Sequence, residues 1–277
     1  MNTMQTDMIS LSAALEKEHL LKRYLADYGA LAIAYSGGVD SSYLSAIAHE
    51  ILGANATMIL ADSPSIPRAE VREATELAEA RGWNFVRLDT HEFEQEAFLQ
   101  NDGTRCYFCK NELFTQMDEY AREHGIKVLA YGEIADDKLD PTRLGAKAAR
   151  EHRVVAPLAE VDLTKEEIRE LSKARGLPTW NKASFACLSS RFPKGTRVDV
   201  EEMRKIEAAE EILKARGFRQ YRARHHGELC RIEVDPSDIP RLLDDTLRLE
   251  VLESIRAAGY RHVTLDLAGY RTGSTAT

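Results

Sequence analysis

The chain has 277 residues, of which 44% are hydrophobic and 30% charged, and its formal charge at pH 7 is −8. This is the composition of an ordinary globular protein with one large domain or two modest ones. It argues against a membrane span, because no apolar run approaches the roughly 20 residues needed, and against nucleic acid as a partner. The first element, within residues 1–29, is predicted to be an amphipathic helix. It lacks the basic start and apolar core of a secretory signal, so we expect a cytoplasmic protein.

Short apolar strands alternate with helices through the first two thirds of the chain. The predicted strands are "LAIAYS", "ATMILA", "NFVRLD" and "IKVLAYG", and the predicted helices cover 40–52, 66–82, 107–124 and the stretch after Thr164. Thr164 has Glu167 three residues on, which is the pattern of a capping box. Strand–helix alternation at this spacing predicts an α/β fold, with a parallel sheet and helices on both faces.

The pattern breaks at Pro178, which suggests a domain boundary. We expect residues 1–180 to form the α/β domain and residues 181–197, "NKASFACLSSRFPKGTR", to form a loop that carries function. Residues 198–277 are predicted to be an α+β module, with a helix at 199–216, two strands near 219–225 and 228–234, further helix through 236–258 and a last strand "HVTLDL".

The stretch "SGGVDSS" follows an apolar strand and opens a helix. Gly37 and Gly38 allow the backbone to approach a phosphate closely, and the free N–H groups of the helix start can hold the anion. Ser36 and Ser41 add hydroxyl groups, and Asp40 is a candidate ligand for Mg²⁺. The loop lacks the lysine of a Walker motif, which reaches terminal phosphates. It therefore suits pyrophosphate as a leaving group.

This pattern resembles the PP-loop ATP pyrophosphatases, which cleave ATP between the α and β phosphates and adenylate a substrate. The resemblance covers residues 30–180 and implies ATP and Mg²⁺ as cofactors. It also implies that the nucleotide lies near the ends of several strands, including the "YGEIADD" element after the fourth. The implied ATP-contacting residues are Ala34, Ser36, Gly37, Gly38, Asp40, Ser41, Ala61, Ser63 and Gly132. Asp136 and Asp137 either support the metal or the substrate, or cap the next helix.

Three of the four cysteines have positions that suit chemistry. Cys106 and Cys109 form a C-x-x-C pair at the head of a helix, where the dipole and neighbouring cations stabilise thiolates. Cys187 lies in the functional loop, whereas Cys230 lies on a predicted strand and is expected to pack. Three cysteines with one open position favour a [4Fe–4S] cluster. A zinc site, a redox disulfide at the pair and three metal-free thiols are the alternatives.

Four stretches together make the chain similar to the LarE family of sulfur transferases, over roughly residues 12–273: "SGGVDSS", "YGEIADD", "TWNKASFACLSSRFPKGT" and "YRHVTLDLAGYRTG". The family adenylates a carboxylate of a pyridinium-3,5-dicarboxylate mononucleotide and replaces AMP with sulfur. The product is a thiocarboxylate for the nickel-pincer nucleotide of lactate racemase. The resemblance implies catalytic roles for Asp40, Lys110 and Cys187.

The family has two sulfur sources. One branch sacrifices a cysteine in the loop that here contains Cys187, and the other holds a [4Fe–4S] cluster on three cysteines and passes on sulfide. Cys106, Cys109 and Cys187 match the cluster branch, and sacrifice of Cys187 is the alternative.

The remaining candidates concern the substrate phosphate. Ser190 and Arg191 in the loop, and Arg222 and Arg224 two residues apart on a strand, are predicted to bind it, since arginine grips phosphate with a planar fork. Arg143 is a further candidate. Glu233, in the same hairpin as Arg222 and Arg224, is a possible metal ligand.

The rival functions are a PP-loop tRNA thiolase, which would need a basic RNA-binding surface, and a zinc-stapled ATP-binding module without turnover. As partners we expect the nucleotide substrate, sulfide or a sulfide donor, and the nickel-inserting and carboxylating enzymes of the same pathway. We also expect a homo-oligomer, a trimer or a hexamer.

Overall fold

The computed structural model describes residues 3–139, 144–183 and 186–271. Side chains are described for residues 12–137 and for the two later ranges. The helices are α1 (Thr3–Tyr28), α2 (Val39–Leu52), α3 (Arg68–Ala80), α4 (Glu96–Leu99), α5 (Arg105–Glu123), α6 (Leu144–Glu151), α7 (Pro157–Glu160), α8 (Lys165–Ala174), α9 (Val200–Ala215), α10 (Ile239–Leu242) and α11 (Asp245–Ala257). The strands are β1 (Leu31–Ala34), β2 (Ala56–Asp62), β3 (Asn84–Asp89), β4 (Leu129–Tyr131), β5 (Tyr221–His226), β6 (Leu229–Val234) and β7 (His262–Leu265). The chain divides into two compact units.

Unit 1 comprises Met1–Ser63, Arg68–Glu92 and Cys106–Ser184 and contains a four-stranded sheet in the order β3-β2-β1-β4. All three pairings are parallel, with β1 in the middle pairing β2 and β4. Every residue of β1 is buried, as are the first five of β2, which is why these strands read as continuous apolar runs. The predicted parallel sheet and α/β class are confirmed.

The core of unit 1 includes a cluster that joins the sheet to α5. Ala32 and Ala34 on β1 pack with Phe114 and Met117 on α5. The ring of Phe114 meets that of Tyr131 edge to face, with centroids 5.9 Å apart. The strand that leads into "SGGVDSS" and the helix that carries the C-x-x-C pair are therefore fixed to one core.

Helix α8 begins with the capping box that the sequence predicts. The hydroxyl of Thr164 accepts a hydrogen bond from the backbone N–H of Glu167 at 3.3 Å, and the Glu167 carboxylate accepts one from the backbone N–H of Thr164 at 2.9 Å. This reciprocal pair satisfies two otherwise unpaired donors and fixes where the helix starts.

Unit 2 comprises Pro64–Pro67, Phe93–Arg105 and Phe185–Thr277. Its sheet has the order β5-β6-β7, with β5 antiparallel and β7 parallel to β6. The separated segments are joined by backbone hydrogen bonds, from Leu188 N–H to Ser65 O (2.7 Å) and from Val198 N–H to Leu99 O (2.8 Å). The two early segments, placed with the first domain by the sequence, thus belong with the C-terminal module. Within the described residues, no helix has the length and apolar character needed to cross a membrane.

Candidate active site

The turn between β1 and α2 is shaped by Gly37, whose φ is +69°. A Cβ at this position would lie 2.6 Å from the Cβ of Ala74 on α3, so only glycine fits without a shift. Gly38 is the N-cap of α2 and has no side chain with which to cap the helix. Among the described residues, its own N–H donates a long hydrogen bond, 3.4 Å, to the hydroxyl of Ser36. A 14-residue helix therefore begins with uncapped donors and the positive end of its dipole, which is the arrangement that binds phosphate.

Ser36 and Ser41 hydrogen-bond to each other across this turn. The hydroxyl of Ser41 accepts a hydrogen bond from the backbone N–H of Ser36 at 3.2 Å, and the two hydroxyl oxygens lie 3.1 Å apart. Ser41 is buried and Ser36 is exposed. The predicted loop residues are thus brought together at the carboxyl end of β1, where ligands of open α/β sheets bind.

Asp40 in the first turn of α2 forms an ion pair that the sequence did not reveal. Both of its carboxylate oxygens accept hydrogen bonds from the ammonium of Lys165, at 2.8 and 2.7 Å. Lys165 is the first residue of α8, and both side chains are partly exposed. The capping box locates the start of α8, but nothing in the sequence places it opposite Asp40.

The "YGEIADD" element lies against the same turn. A Cβ on Gly132 would be 3.0 Å from the backbone nitrogen of Ser41, so this glycine permits close approach of the end of β4 to α2. Asp136 accepts a hydrogen bond from the backbone N–H of Lys165 at 2.7 Å, and Asp137 accepts a long one from the backbone N–H of Ile134 at 3.4 Å. Asp136 therefore binds the first N–H of α8.

Three further residues implied to contact ATP lie at the ends of β1 and β2. Ala34 is buried at the end of β1 and Ala61 is half-buried on β2. Ser63 is buried, and its hydroxyl donates to the carboxylate of Glu92, which is also buried. The Ser63 hydroxyl is thus engaged within unit 1.

The C-x-x-C pair lies in the first turn and a half of α5. Cys106 is exposed and Cys109 half-buried, and neither forms a disulfide. The ammonium of Lys110 lies 5.6 Å from the ring centroid of Phe114 and 5.9 Å from that of Tyr131, within cation–π range. Lys110 is therefore oriented against the core cluster of unit 1.

The other two cysteines belong to unit 2. Cys187 is half-buried and lies just before a short 3₁₀ helix, Leu188–Arg191. Cys230 is buried on β6, and burial raises the pKa of its thiol to about 12, as expected for a packing residue. Cys106, Cys109 and Cys187, exposed or half-buried and outside any disulfide, have the thiol chemistry of a cluster donor set. In the ranges that the structure describes, no three His, Cys, Asp or Glu side chains are gathered as a metal ion requires.

Arg191, predicted to bind phosphate, is fully buried. Its guanidinium forms a two-pronged ion pair with Glu210 on α9, with nitrogen–oxygen distances of 2.7 and 2.8 Å. It also donates to the carbonyl oxygens of Ala186 and Cys187 and to the hydroxyl of Ser190. Arg191 thus ties the residues around Cys187 to α9.

Glu210 is a second residue that the sequence did not reveal. Besides Arg191, its carboxylate accepts a hydrogen bond from the backbone N–H of Ala223 at 3.0 Å. In the sequence it is one of several acidic residues in a charged helix, and no signal separates it from its exposed neighbours.

Arg222 and Arg224 are buried rather than solvent-facing. Arg224 pairs with Glu233 at 2.8 Å and donates to the backbone oxygen of Ser190 at 3.1 Å. Arg222 lies over the ring of Tyr270 at 5.0 Å. Burial, and next the charge of Arg191, lowers the pKa of Arg222. Unit 2 therefore buries three arginines, of which Arg191 and Arg224 pair with buried glutamates.

The remaining predicted residues are Glu233 and Arg143. Glu233 is fully buried, and besides Arg224 it pairs with Arg231 at 3.2 Å. Arg143 lies outside the described residues.

No protein-family model matches the chain. It is 37% identical over 253 residues to an uncharacterised protein of Synechocystis sp., a match that covers 91% of this chain and 94% of the relative. It is 31% identical over 258 residues to the pyridinium-3,5-bisthiocarboxylic acid mononucleotide synthase of Lactiplantibacillus plantarum, covering 93% and 92%. A shorter match, 29% identical over 169 residues and about half of each chain, is to one component of the glutamine-hydrolysing GMP synthase of Thermoplasma volcanium.

The GMP synthase match agrees with the parallel sheet and the glycine turn of unit 1, and it supports the PP-loop ATP pyrophosphatase fold. The match to the Lactiplantibacillus plantarum synthase extends through both units. The chain therefore belongs to the LarE family of ATP-dependent, sulfur-transferring synthases.

Proposed function

We propose that this enzyme converts a carboxylate of a pyridinium-3,5-dicarboxylate mononucleotide, or of its half-thiolated form, into a thiocarboxylate. The product would serve the nickel-pincer nucleotide of lactate racemase. The observation that carries the proposal is the uncapped start of α2 beside the Asp40–Lys165 ion pair, in a chain related along its length to a synthase of the bisthiocarboxylic acid mononucleotide.

The first half-reaction is adenylation. A carboxylate oxygen of the substrate attacks the α-phosphorus of ATP, the bond to the bridging oxygen breaks, and pyrophosphate leaves with the electron pair. The start of α2, with Gly37, Gly38, Ser36 and Ser41, holds the pyrophosphate, because its N–H groups stabilise the charge that develops.

Magnesium belongs to the same half-reaction. Asp40 and Asp137 would supply carboxylate oxygens, the ligands that Mg²⁺ prefers, and Glu233 is the candidate of unit 2. When bound, the ion would neutralise charge on the departing pyrophosphate.

The second half-reaction exchanges AMP for sulfur. Hydrogen sulfide, as HS⁻, adds to the carbonyl carbon of the acyl adenylate, the bond to AMP breaks, and a thiocarboxylate, AMP and a proton are formed. We propose that Cys106, Cys109 and Cys187 would hold a [4Fe–4S] cluster, which would supply the sulfide when bound. Their accessibility supports this, in contrast with buried Cys230. Sacrifice of Cys187 as the sulfur donor is the alternative.

The substrate phosphate is assigned to unit 2. Arg222 and Arg224 are buried, and Arg222 is destabilised as a cation by burial and by the neighbouring charge of Arg191. A phosphate dianion would relieve that repulsion. Ser190 and Arg191 shape the adjoining backbone, and Arg143 remains a further candidate.

The remaining expectations are kept as proposals. They are a cytoplasmic location, a trimer or hexamer, a separate sulfide donor, and contact with the nickel-inserting and carboxylating enzymes. Sedimentation of the purified protein measures the oligomer directly.

The deciding experiment uses protein purified without oxygen. Incubated with ATP, Mg²⁺, sulfide and the dicarboxylate mononucleotide, it should release AMP and pyrophosphate and yield the thiocarboxylate by mass spectrometry. Iron and acid-labile sulfide of about four each per chain, retained in Cys230→Ala and lost in Cys106→Ala, would support the cluster. Product without iron, with the chain lighter by one hydrogen sulfide, would instead identify Cys187 as the donor. No AMP formation would refute the function.

A further inference from the structure

A lysine from far along the chain lies beside the glycine turn. The ammonium of Lys182 is 2.6 Å from a carboxylate oxygen of Glu70 and 3.1 Å from one of Glu73. It also donates to the backbone oxygen of Gly37 at 3.4 Å, across 145 residues of sequence. All four residues belong to unit 1. The loop that lacks its own lysine thus has one in contact with its first glycine.

The two glutamates explain why a cation is needed there. Glu70 and Glu73 lie on α3, and the next residue, Ala74, is the one whose Cβ excludes any side chain at Gly37. The hydroxyl of Tyr35, just before the turn, donates to the backbone oxygen of Ala74 at 3.0 Å. Helix α3 is therefore attached closely to the turn. Without compensation its carboxylates would repel a polyphosphate bound there, because charges this near interact strongly.

The two neighbouring glutamates favour the charged form of Lys182. Its side chain is only 19% exposed. Burial alone would lower its pKa, but the hydrogen bonds and charges of Glu70 and Glu73 raise it above the ordinary value. The ammonium thus cancels part of the negative charge on α3 at any physiological pH.

We propose that Lys182 is a positioning residue of the phosphate-binding turn: it neutralises Glu70 and Glu73 and holds the Gly37 carbonyl, so that the start of α2 can accept the phosphates of ATP. The inference rests on the proposed function, since it takes this turn as the site of the ATP phosphates. Lys182 would thereby offset the negative charge of Glu70 and Glu73 beside a loop that has no lysine of its own.

The chain supplies a matched control in Lys22. Its ammonium also pairs with two glutamates, Glu18 at 3.2 Å and Glu50 at 2.8 Å, and its side chain is 22% exposed. Glu50 lies in the last turn of α2, at the opposite end from Gly38. Arg175 also pairs with Glu18 and Glu50, at 2.6 Å each. Lys22→Met therefore removes a lysine paired with two glutamates away from the turn, and Lys182→Met removes one beside it.

The test is the dissociation constant of ATP and of AMP, measured by calorimetry with Mg²⁺ and without acceptor. Because it removes a charged hydrogen-bond donor beside the phosphates, Lys182→Met should weaken ATP binding about tenfold or more. It should leave AMP binding unchanged, since AMP lacks the β and γ phosphates. Lys182→Arg should restore ATP affinity to within about threefold of the wild type, and Lys22→Met should not change it.

A second variant separates charge from packing. Glu70→Gln/Lys182→Met removes the Glu70 carboxylate together with the ammonium that neutralises it. Its ATP affinity should therefore recover in part from the loss seen in Lys182→Met. If Lys182→Met does not fold, Glu70→Gln alone gives the test, with ATP binding about threefold tighter as one carboxylate is removed.

Three outcomes would overturn the inference. They are equal ATP affinity of Lys182→Met and the wild type, a parallel loss of ATP and AMP binding, and, for Glu70→Gln alone, no gain in ATP affinity. In each of them the proposed function survives, because the wild-type protein still binds ATP. A wild-type protein that binds no ATP overturns both.

Discussion

The ammonium of Lys165 holds both carboxylate oxygens of Asp40, at 2.8 and 2.7 Å, across 125 residues of sequence. The contact joins the first turn of α2 to the first residue of α8. Because the backbone N–H of Lys165 also donates to Asp136, the contact connects the start of α2, the start of α8 and the "YGEIADD" element that follows β4. It lies where the pyrophosphate of ATP is proposed to leave.

Lys165→Met should raise the KM for ATP at least tenfold, because Asp40 would be left as an uncompensated carboxylate beside the phosphate-binding turn. Steady-state kinetics of AMP release measures this. Lys173→Met is the control, since Lys173 lies in the last turn of the same helix and contacts the ring of Trp180. A KM unchanged in Lys165→Met would show that the ion pair has no part in ATP binding.

Glu210→Gln should destabilise the protein by about 3–5 kcal/mol, because it leaves the guanidinium of Arg191 buried without its countercharge. Urea denaturation measures the loss. The double variant Arg191→Met/Glu210→Leu should be more stable than Glu210→Gln, since it removes both charges together. If the single variant loses less than about 1 kcal/mol, the buried ion pair is not what holds the 186–191 segment to α9.

Stability should fall below pH 4.5 through Glu18. Burial alone would raise its pKa, but hydrogen bonds from Arg175 and Tyr43 outweigh it and lower the pKa to about 2. A carboxylate whose pKa is lower in the folded state contributes stability above its unfolded pKa and loses it as pH falls toward the folded one. The stability advantage of the wild type over Glu18→Gln should therefore shrink between pH 4.5 and 2. An advantage constant across that window would contradict the assignment.

The four thiols should differ in reactivity. Since burial raises the pKa of Cys230 to about 12 and removes it from solvent, iodoacetamide at pH 8 should leave it unmodified in the folded protein. Exposed Cys106 should be alkylated first in metal-free protein. Peptide mass spectrometry reads both, with urea-unfolded protein as the reference in which all four react. Early labelling of Cys230 in the folded protein would mean that β6 opens readily.

The sequence predicts those structural features that are determined by residues close together in the chain. The parallel sheet follows from four apolar strands, the turn at Gly37 from its two glycines, and the start of α8 from Thr164 and Glu167. In each case neighbouring residues determine the backbone, so a pattern within about ten positions is sufficient.

What the sequence did not reveal is pairing over distance. Lys165 with Asp40, Lys182 with Glu70, and Glu210 with Arg191 are ordinary charged residues in charged stretches until the fold brings them together. Arginines on a strand also look alike whether they are solvated or buried, and only burial distinguishes Arg222 and Arg224 from surface residues. The shared ligation of Cys106, Cys109 and Cys187 is likewise a prediction that neither pattern nor packing decides.

The three-part composition of unit 2 has a consequence for how the chain is made. Ser65 emerges from the ribosome well before Leu188, whose N–H its backbone oxygen accepts. At ordinary translation speeds the interval is on the order of ten seconds. During it, the residues to which Pro64–Pro67 and Phe93–Arg105 hydrogen-bond in unit 2 have not yet been synthesised. Unit 2 is therefore completed only late in synthesis, when the later residues that hydrogen-bond to its two earliest segments have been made.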